Sequence, residues 1–430
     1  MWILIVLMIV PDRFDYTVLT TDDAPMSGGA VSRLLWLSLL IFGGATILSR
    51  GAQAWTLLRR LNPFLLIFVL LAVASVTWSI EPAVTARRMI RVVTIAVVAI
   101  AFVLVDWHAQ RFQNVLRPLI TIFLLGSIVF GLGWPLLATH QEPGGPLDGA
   151  WRGLATHKNG LGGIACLGLI LWFHAWLSKE TSALPALAGG AMAVACLLLS
   201  RSSTSLVVAI FIILLLLLLL RSPPALRRYL PWMIALLVTA LVTYALVLLQ
   251  ILPGLHTLLS PISAMTGKDM TFTGRTDIWD IMSEHIRGQP LLGSGYGAYW
   301  TGAVPGSPSY AFILNLDFYP ASAHNGYLEV LNDLGTVGLL VLIGYLANFV
   351  SQSLRLLRSD RIQASLYLAL FLQQAIINLA ESRWFSAFSV DFVIMTLATA
   401  ALARSLLASS GSGVVAASNY RMGPALGALR

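Results

Sequence analysis

Long apolar runs separated by short polar segments occupy most of this chain. Most runs are about 17 to 25 residues long, which is the length at which an α-helix crosses the hydrocarbon core of a bilayer. Within a run such as Phe211 to Leu220 the apolar residues are continuous. They do not alternate with polar residues, as they would in a membrane β-barrel. The pattern therefore predicts an all-α integral membrane protein.

We expect about twelve transmembrane helices, since a spanning helix needs about 20 predominantly apolar residues. The predicted spans are 1–10, which is short, and 32–49, 63–79, 88–105, 116–134, 161–178, 184–200, 204–220, 231–251, 328–350, 363–380 and 388–407. The chain then divides into four parts. They are N-terminal transmembrane helices at 1–251, a polar loop region at 252–327, C-terminal transmembrane helices at 328–408, and a tail at 409–430 that is rich in Gly, Ser and Ala and is predicted to be disordered and cytoplasmic.

The composition agrees with a membrane protein and excludes an ordinary soluble domain. Of the 430 residues, 57% are hydrophobic and only 11% are charged, and the mean hydropathy is +0.82. The net charge of +8 lies in short loops between spans, which indicates topology signals and contacts with anionic membrane lipids rather than nucleic acid. Cys166 and Cys196 lie in apolar spans and are expected to be core residues without a disulfide.

Basic residues in the short loops predict the orientation of the spans, because such loops are retained in the cytoplasm. We assign to the cytoplasm the alternate set of loops that is rich in basic residues. These residues are Arg50, Arg59, Arg60, Arg111, Arg117, Lys179, Arg221, Arg227, Arg228, Arg355, Arg358, Arg361 and Arg404. Both termini then face the cytoplasm. The opposite face holds the loops 11–31, 135–160 and 252–327 and the short turn at 381–383.

Several basic residues fall on the opposite, outer face, where insertion disfavours them. They are Arg87, Arg88, Arg91, Arg152, Lys158, Arg201 and Arg275. Each of them could simply extend to a lipid headgroup. An anionic ligand shared by several of them explains better why so many lie on one face.

The polar region contains no recognisable cofactor or metal motif. The sequence lacks a P-loop, a His/Cys/Asp cluster with metal spacing, an Asp-x-Asp motif and a Gly-x-Ser-x-Gly motif. The glycines at 293, 295 and 297 do not lie between a strand and a helix, so we interpret them as a tight turn. No cofactor and no metal are therefore predicted.

Because these motifs are absent, the residue types that could carry out a reaction are arginine and histidine. The arginine guanidinium matches phosphate oxygens as a charged fork, so two or more arginines could neutralise a departing diphosphate without a metal. The additional positive field would come from Arg88, Arg91, Arg152 and Lys158. His324 could accept a proton from an incoming hydroxyl near neutral pH.

A helix that begins near His324 would place Asn325, Glu329 and Asn332 on one face. A polar stripe at a membrane edge suggests a lined cavity, so Asn325 and Glu329 are predicted to contact substrate. Two alternatives remain open. His324 could be a structural cap, and the polar stripe could be a water-exposed first turn.

Four short motifs resemble the O-antigen ligase family of bacterial inner-membrane proteins, whose features are shared by exopolysaccharide polymerases and some protein O-oligosaccharyltransferases. The motifs are Gly-Leu-Ala-Thr-His-Lys-Asn-Gly at 153–160, Ser-Arg-Ser at 200–202, Thr-Gly-Arg-Thr-Asp-Ile-Trp at 273–279, and Ala-His-Asn-Gly-Tyr-Leu-Glu at 323–329 followed by Gly335 and Gly338. The resemblance covers roughly residues 60 to 400, and the order and spacing of the motifs are more specific than any one of them.

The resemblance implies a bacterial inner-membrane protein of about twelve transmembrane helices, with a large loop and the active face in the periplasm. It implies a metal-independent glycosyl transfer from undecaprenyl diphosphate to a sugar hydroxyl of lipid A-core. The family's functional residues fall on Arg201, Arg275 and His324. Arg201 and Arg275 are accordingly predicted to converge on the diphosphate, and His324 to act as the base or to orient the acceptor. A polysaccharide polymerase with the same type of donor is the enzyme alternative. A lipid or polysaccharide transporter is the alternative from another class, but the polar residues concentrate at one face instead of along a path.

Overall fold

The computed structural model describes residues 1–10, 16, 29–142, 145, 147–248, 275–316 and 318–420. These residues form helices, and they contain no strand beyond an isolated antiparallel bridge between Thr139 and Trp151. The helices are α1 (Trp2–Ile9), α2 (Ala30–Ser49), α3 (Gly51–Leu58), α4 (Pro63–Ala74), α5 (Pro82–Leu104), α6 (Arg111–Gly133), α7 (Pro135–Ala138), α8 (Lys158–Leu177), α9 (Ala183–Leu199), α10 (Ser203–Arg221), α11 (Pro224–Arg227), α12 (Leu230–Leu248), α13 (Arg275–Gly288), α14 (Ala311–Leu316), α15 (Gly326–Ser359), α16 (Arg361–Ile377) and α17 (Val390–Tyr420). The predicted all-α class is confirmed.

Six of the described helices are long and apolar enough to cross a membrane. They are α2, α6, α8, α10, α15 and α17. A bent pair, Gly51–Leu58 with Pro63–Thr77, raises the number to seven if its two parts, which meet at 101°, form one span. The number of about twelve spans stays a prediction.

The other predicted spans also coincide with helices, but these helices are shorter or more charged. Helices α9 and α16 have 17 residues each, which is at the lower limit of about 17 for a spanning helix. Helix α5 has 23 residues but carries Arg87, Arg88 and Arg91 near its start. The apolar runs therefore located the helices correctly, whereas length and charge separate the strong spans from the weaker ones.

Helices α8 and α17 lie at the centre of the bundle. In each, other parts of the protein bury 72% of the apolar stretch, compared with 17% in α2. The turn between α16 and α17 meets the start of α8, where Arg383 donates to the Asn159 carbonyl over 2.9 Å. Polar residues from distant parts of the sequence are therefore brought to one end of the central helices.

Helix α15 is interrupted at Gly335, and the predicted tight turn around residue 293 packs into the interruption. Gly335 has φ 64° and ψ −164°, and a Cβ there would lie 2.2 Å from the Leu291 carbonyl oxygen. Gly293 also has a positive φ, and a Cβ there would lie 2.6 Å from the Asn332 carbonyl oxygen of α15. The Thr336 amide donates to Pro290 over 2.9 Å. The two glycines thus allow the polar region to dock against the helix that follows His324.

Two predicted boundaries fall partly outside the described residues. Residues 249–274, which include the first two residues of the motif at 273–279, lie outside them, and the described part of the polar region starts at α13. Helix α17 extends to Tyr420, and residues 421–430 of the tail also lie outside. The disorder of the tail and the four-part division stay predictions.

Candidate active site

The carboxylate of Glu381, in the turn between α16 and α17, brings three other parts of the chain together. Its Oε1 accepts a hydrogen bond from Asn159 Nδ2 over 2.7 Å and lies 3.4 Å from the guanidinium of Arg275. Its Oε2 lies 3.9 Å from His324 Nδ1. One acidic side chain therefore brings together Asn159 in the first turn of α8, Arg275 at the start of α13 and His324 just before the cap of α15.

The charges around Glu381 hold it ionised. Burial alone would raise its pKa, but the interactions with His324, Arg383 and Arg275 outweigh burial and lower the pKa to about 2. Burial lowers the pKa of Arg275, and the charge of Glu381 partly opposes this change. An arginine nevertheless stays protonated in proteins, so Arg275 and Glu381 form a partly buried ion pair.

The backbone around His324 is held in an unusual conformation by its neighbours. His324 has φ 50°, in the left-handed region. Asn325 caps α15, since its side-chain oxygen accepts hydrogen bonds from the amides of Tyr327 and Leu328. Glu329 accepts from the Ala323 amide over 2.9 Å. A strained residue persists only where its surroundings determine it, and such residues concentrate at functional sites.

Asn325 and Glu329 therefore support the turn that carries His324. The second carboxylate oxygen of Glu329 accepts from the indole nitrogen of Trp300 over 2.5 Å. Every hydrogen bond named here joins these side chains to another part of the protein. That Asn325 and Glu329 also contact substrate stays a prediction.

The imidazole of His324 is buried on one edge and open on the other. Its Nδ1 atom is buried and, in the part of the chain that the structure describes, has no hydrogen-bond partner. The side chain as a whole is 29% exposed, so its exposed surface belongs to other atoms of the ring. This geometry leaves the Nε2 edge as the side on which a hydroxyl can approach.

Two further histidines lie beside this cluster. His157 caps α8 by accepting the Asn159 amide at Nδ1 over 3.2 Å. Its ring packs against that of His140 at 4.9 Å, and His140 Nε2 accepts the Lys158 amide over 3.1 Å. Burial lowers the pKa of both to about 4, with Arg152 and Lys158 adding to the effect at His140 and His140 adding to it at His157. Both imidazoles are therefore neutral acceptors near pH 7.

Arg201 belongs to an adjoining part of the structure. It is exposed, has φ 50°, and donates to the Asp148 carbonyl over 2.9 Å. The next residue, Gly149, donates its amide to the His140 carbonyl over 3.1 Å. Contacts thus run from Arg201 through this loop to Lys158 at the start of α8. That Arg201 and Arg275 converge on one ligand stays a prediction.

The other predicted basic residues are engaged by protein groups. Arg152 is 1% exposed and donates to the carbonyls of Leu137 and Tyr16 over 3.0 and 3.1 Å. Buried Arg88 donates to the carbonyls of Gly297 and Trp300. The bonds of Arg88 tie the polar region to α5, and those of Arg152 tie its own loop to α7 and Tyr16. The predicted contribution of both arginines to substrate binding stays a prediction.

Arg91 lies between two aromatic rings. Its guanidinium carbon is 4.6 Å from the centre of the Phe388 ring and 5.6 Å from that of Trp36. Such stacking holds a guanidinium in place without neutralising its charge. Lys158 directly precedes Asn159 in the sequence.

Sequence reasoning missed Glu381, Asn159 and Arg383. Arg383 forms a 2.5 Å ion pair with Asp391, and its contact with the Asn159 carbonyl places α8 next to Glu381. The sequence did contain a signal for this turn, because Arg383 falls on the predicted outer face together with the basic residues that were singled out. Asn159 also lies inside one of the four motifs. Among the described residues, no group of three His, Cys, Asp or Glu side chains could hold a metal ion.

Two comparisons with known proteins agree with one another. The family model described as O-Antigen ligase matches residues 187–343, a segment that contains Arg201, Arg275 and His324. The exopolysaccharide production protein ExoQ of Rhizobium meliloti (strain 1021) is 30% identical over 349 residues, which cover 78% of this chain and 73% of that protein.

Proposed function

The chain belongs to the O-antigen ligase family, and from this we propose that it transfers a glycan from a lipid-linked diphosphate to a sugar hydroxyl. The observation that carries the proposal is the meeting of Arg275, Glu381 and His324 at one partly open site. A fixed cation and an imidazole with an accessible edge suit a reaction in which an anion leaves and a hydroxyl loses a proton.

The proposed step forms one bond and breaks another. The acceptor oxygen bonds to the anomeric carbon of the glycan, and the bond between that carbon and the phosphate oxygen breaks. The lipid diphosphate leaves with the electron pair. The proton of the hydroxyl passes to Nε2 of His324, so no oxidant, reductant or further reactant is required.

Arginines would stabilise the charge that develops on the leaving diphosphate. Arg275 is held by Glu381 at 3.4 Å, which fixes a guanidinium charge beside the proposed leaving group. Arg201 is the second proposed diphosphate ligand, since its guanidinium is exposed on the adjoining loop. Arg88, Arg91, Arg152 and Lys158 would add positive field.

The proposed donor is a glycan on undecaprenyl diphosphate, and the proposed acceptor is a sugar of lipid A-core. Both follow from the family, as do the bacterial inner membrane and a reaction at its periplasmic face. The clustering of basic residues on the outer face of the predicted topology supports that side, because polyanionic substrates would meet them there.

A polymerase that extends a glycan is the second candidate. The relative that matches 78% of this chain is an exopolysaccharide production protein, whereas the match to the O-antigen ligase model spans residues 187–343 alone. The two candidates share the donor and the site, and they differ in whether the acceptor is lipid A-core or a second glycan.

One assay with purified protein in nanodiscs separates them. A lipid-linked glycan is supplied with lipid A-core or with a second lipid-linked glycan, and the products are resolved by gel electrophoresis and mass spectrometry. A ligase makes a single addition to lipid A-core, and a polymerase makes a ladder of glycan lengths. If neither acceptor is modified, the proposed function is wrong.

His324→Ala tests the proposed base in the same assay. We expect transfer to fall by about 10²- to 10⁴-fold while the affinity for the lipid-linked donor stays the same, because the arginines remain. His108→Ala is the matched control, since His108 is exposed in the loop before α6, and it should transfer at the normal rate. Near-normal transfer by His324→Ala would reduce His324 to a structural role.

A further inference from the structure

The geometry points to Glu381 as the positioning residue for His324. We propose that its carboxylate holds the imidazole through Nδ1 and thereby presents Nε2 to the acceptor hydroxyl. This inference rests on the proposed function, and it adds a residue that the sequence motifs did not single out.

The first argument is that the two oxygens of Glu381 have separate partners. Oε1 is bound by Asn159 at 2.7 Å and by Arg275 at 3.4 Å. The carboxylate is thus anchored from α8 and from α13 at the same time. Oε2 is left to face His324, so the orientation of the carboxylate is determined by groups other than the histidine.

The second argument comes from the imidazole. His324 Nδ1 is buried, it has no hydrogen-bond partner among the residues that the structure describes, and Oε2 of Glu381 lies 3.9 Å away. A buried polar atom without a partner is costly. A movement of about 1 Å would bring the pair to hydrogen-bonding distance, and such catalytic contacts commonly tighten only when substrate binds.

The third argument is that the backbone of His324 is already fixed. The cap by Asn325 and the bond from the Ala323 amide to Glu329 hold the turn on either side. The remaining freedom is that of the ring, and a partner at Nδ1 removes it. Positioning through Nδ1 also decides which nitrogen carries the proton at rest, so that Nε2 is the basic one.

The charge of Glu381 has a second effect during the reaction. When Nε2 accepts the proton, the ring becomes an imidazolium whose Nδ1–H donates to the carboxylate. Glu381 stays ionised throughout and does not take up the proton itself. The charged or titratable groups that face the pair are Arg275 from α13, His157 from the start of α8, and Arg383 from the same turn as Glu381.

Glu381→Gln tests the proposal with little change of shape. The Gln side chain keeps an oxygen for Asn159 but loses the charge and offers its amide to the histidine. We expect kcat to fall by about 10²-fold or more, with little change in the KM for the donor. We also expect the acidic limb of the pH–activity profile to move to lower pH, because the imidazolium loses its stabilising partner.

Glu284→Gln is the matched control. Glu284 lies on α13, is 77% exposed and pairs with Arg287, so its substitution should leave kcat and the pH profile unchanged. If Glu381→Gln does not give a monodisperse protein in detergent, Glu381→Asp keeps the charge but shortens the reach to Nδ1. We expect this variant to lose kcat and to keep the position of the acidic limb. Wild-type kcat in the Asp variant would overturn the proposal.

A second readout requires no glycan and so separates this inference from the proposed function. Diethyl pyrocarbonate acylates neutral imidazoles, and mass spectrometry of the peptide that contains residue 324 gives the rate as a function of pH. The midpoint should move to lower pH in Glu381→Gln and stay in place in Glu284→Gln. An unchanged midpoint and unchanged kcat in Glu381→Gln would overturn the positioning role. Absence of transfer by the wild-type protein would instead overturn the proposed function.

Discussion

Arg275 and Arg201 have the same charge but lie in different settings. Arg275 is partly buried and paired with Glu381, and Arg201 is exposed on a turn with a positive φ. If both hold the diphosphate, what they contribute is the planar fork of the guanidinium and not merely its charge. This difference can be tested with lysine, which keeps the charge and loses the fork.

We expect Arg275→Lys and Arg201→Lys to lower transfer by about ten- to a hundredfold each, the range of a lost hydrogen bond to a charged group. Arg287→Lys on the same helix as Arg275 is the control, since Arg287 is 70% exposed, and it should be fully active. The rate of transfer is measured with and without a chelator. Full, chelator-insensitive activity in both variants would show that the forks are dispensable, and a loss caused by the chelator would indicate a metal.

The neutral pair of His140 and His157 makes stability depend on pH. The pKa of His157 is about 4 in the folded protein and 6.5 ordinarily, so the unfolded chain binds more protons between these values. Stability is therefore complete above pH 6.5 and is lost as the pH falls towards 4, by on the order of 3 kcal/mol for His157. Glu381 contributes in a different window, because its pKa is about 2 in the folded protein and 4.5 ordinarily. Its contribution is complete above about pH 4.5 and is lost as the pH falls from there towards 2.

His157→Asn tests this dependence, because asparagine can still cap α8 without titrating. The melting temperature of the purified protein, followed by tryptophan fluorescence from pH 7.5 to pH 4, should fall less steeply in this variant than in the wild type. His108→Asn, at an exposed position, should follow the wild-type curve. Identical slopes for His157→Asn and wild type would mean that His157 does not resist protonation.

Among the elements, the interruption of α15 at Gly335 decides how the polar region is placed. The helix carries the His324 turn at its start, and the backbone around residues 290–295 pairs with the groups that the interruption frees. The Ser294 amide donates to Asn332 and the Gly295 amide donates to Asp333, over 2.9 and 3.0 Å. The site and the docking of α13 therefore depend on one backbone position that favours glycine.

Gly335→Ala should destabilise the protein by at least 1–3 kcal/mol from backbone strain alone, about the cost of a left-handed non-glycine residue. The close approach of the Leu291 carbonyl adds to this cost. Gly190→Ala in α9 is the control, since an added Cβ there meets nothing within 4 Å, and it should be neutral or stabilising. The melting temperature and the yield of monodisperse protein are compared. A Gly335→Ala protein that melts as the wild type does would contradict this account.

For the molecule as a whole, the side of the membrane on which the polar region lies decides which substrates can reach it. The Arg-rich segments near 221–228 and 355–361 flank the helices on either side of this region, which predicts that the region lies in the periplasm. Basic residues gathered on that face would then meet a lipid-linked diphosphate there.

Reporter fusions measure this orientation directly. A fusion near residue 300 should give alkaline phosphatase activity, which requires the periplasm, and fusions near residues 225 and 358 should not. A cytoplasmic signal near residue 300 would overturn the orientation, and with it the argument from basic residues on the outer face. Fusions after each helix would also count the spans and test the predicted number of about twelve.

The apolar pattern was sufficient to predict the class of fold and the positions of the helices. The span predicted at 161–178 corresponds to Lys158–Leu177, and that at 363–380 corresponds to Arg361–Ile377. The helices can be located in this way because a membrane-spanning helix must be apolar over its whole length. Each helix is therefore recognisable from its own segment of the sequence. Arg275 and His324 could be singled out for the same reason, since a polar group in an apolar chain is conspicuous.

The partners of these residues were decided by tertiary structure alone. Asn159, Arg275, His324 and Glu381 come from four separate elements, and their meeting depends on how α8, α13, α15 and α16 pack. No local pattern encodes that packing, because a side chain's neighbours across a bundle are set by the crossing of helices and not by spacing along the chain. The same holds for Arg152, whose charge was visible in the sequence, whereas the two backbone carbonyls that it binds became visible only in the fold.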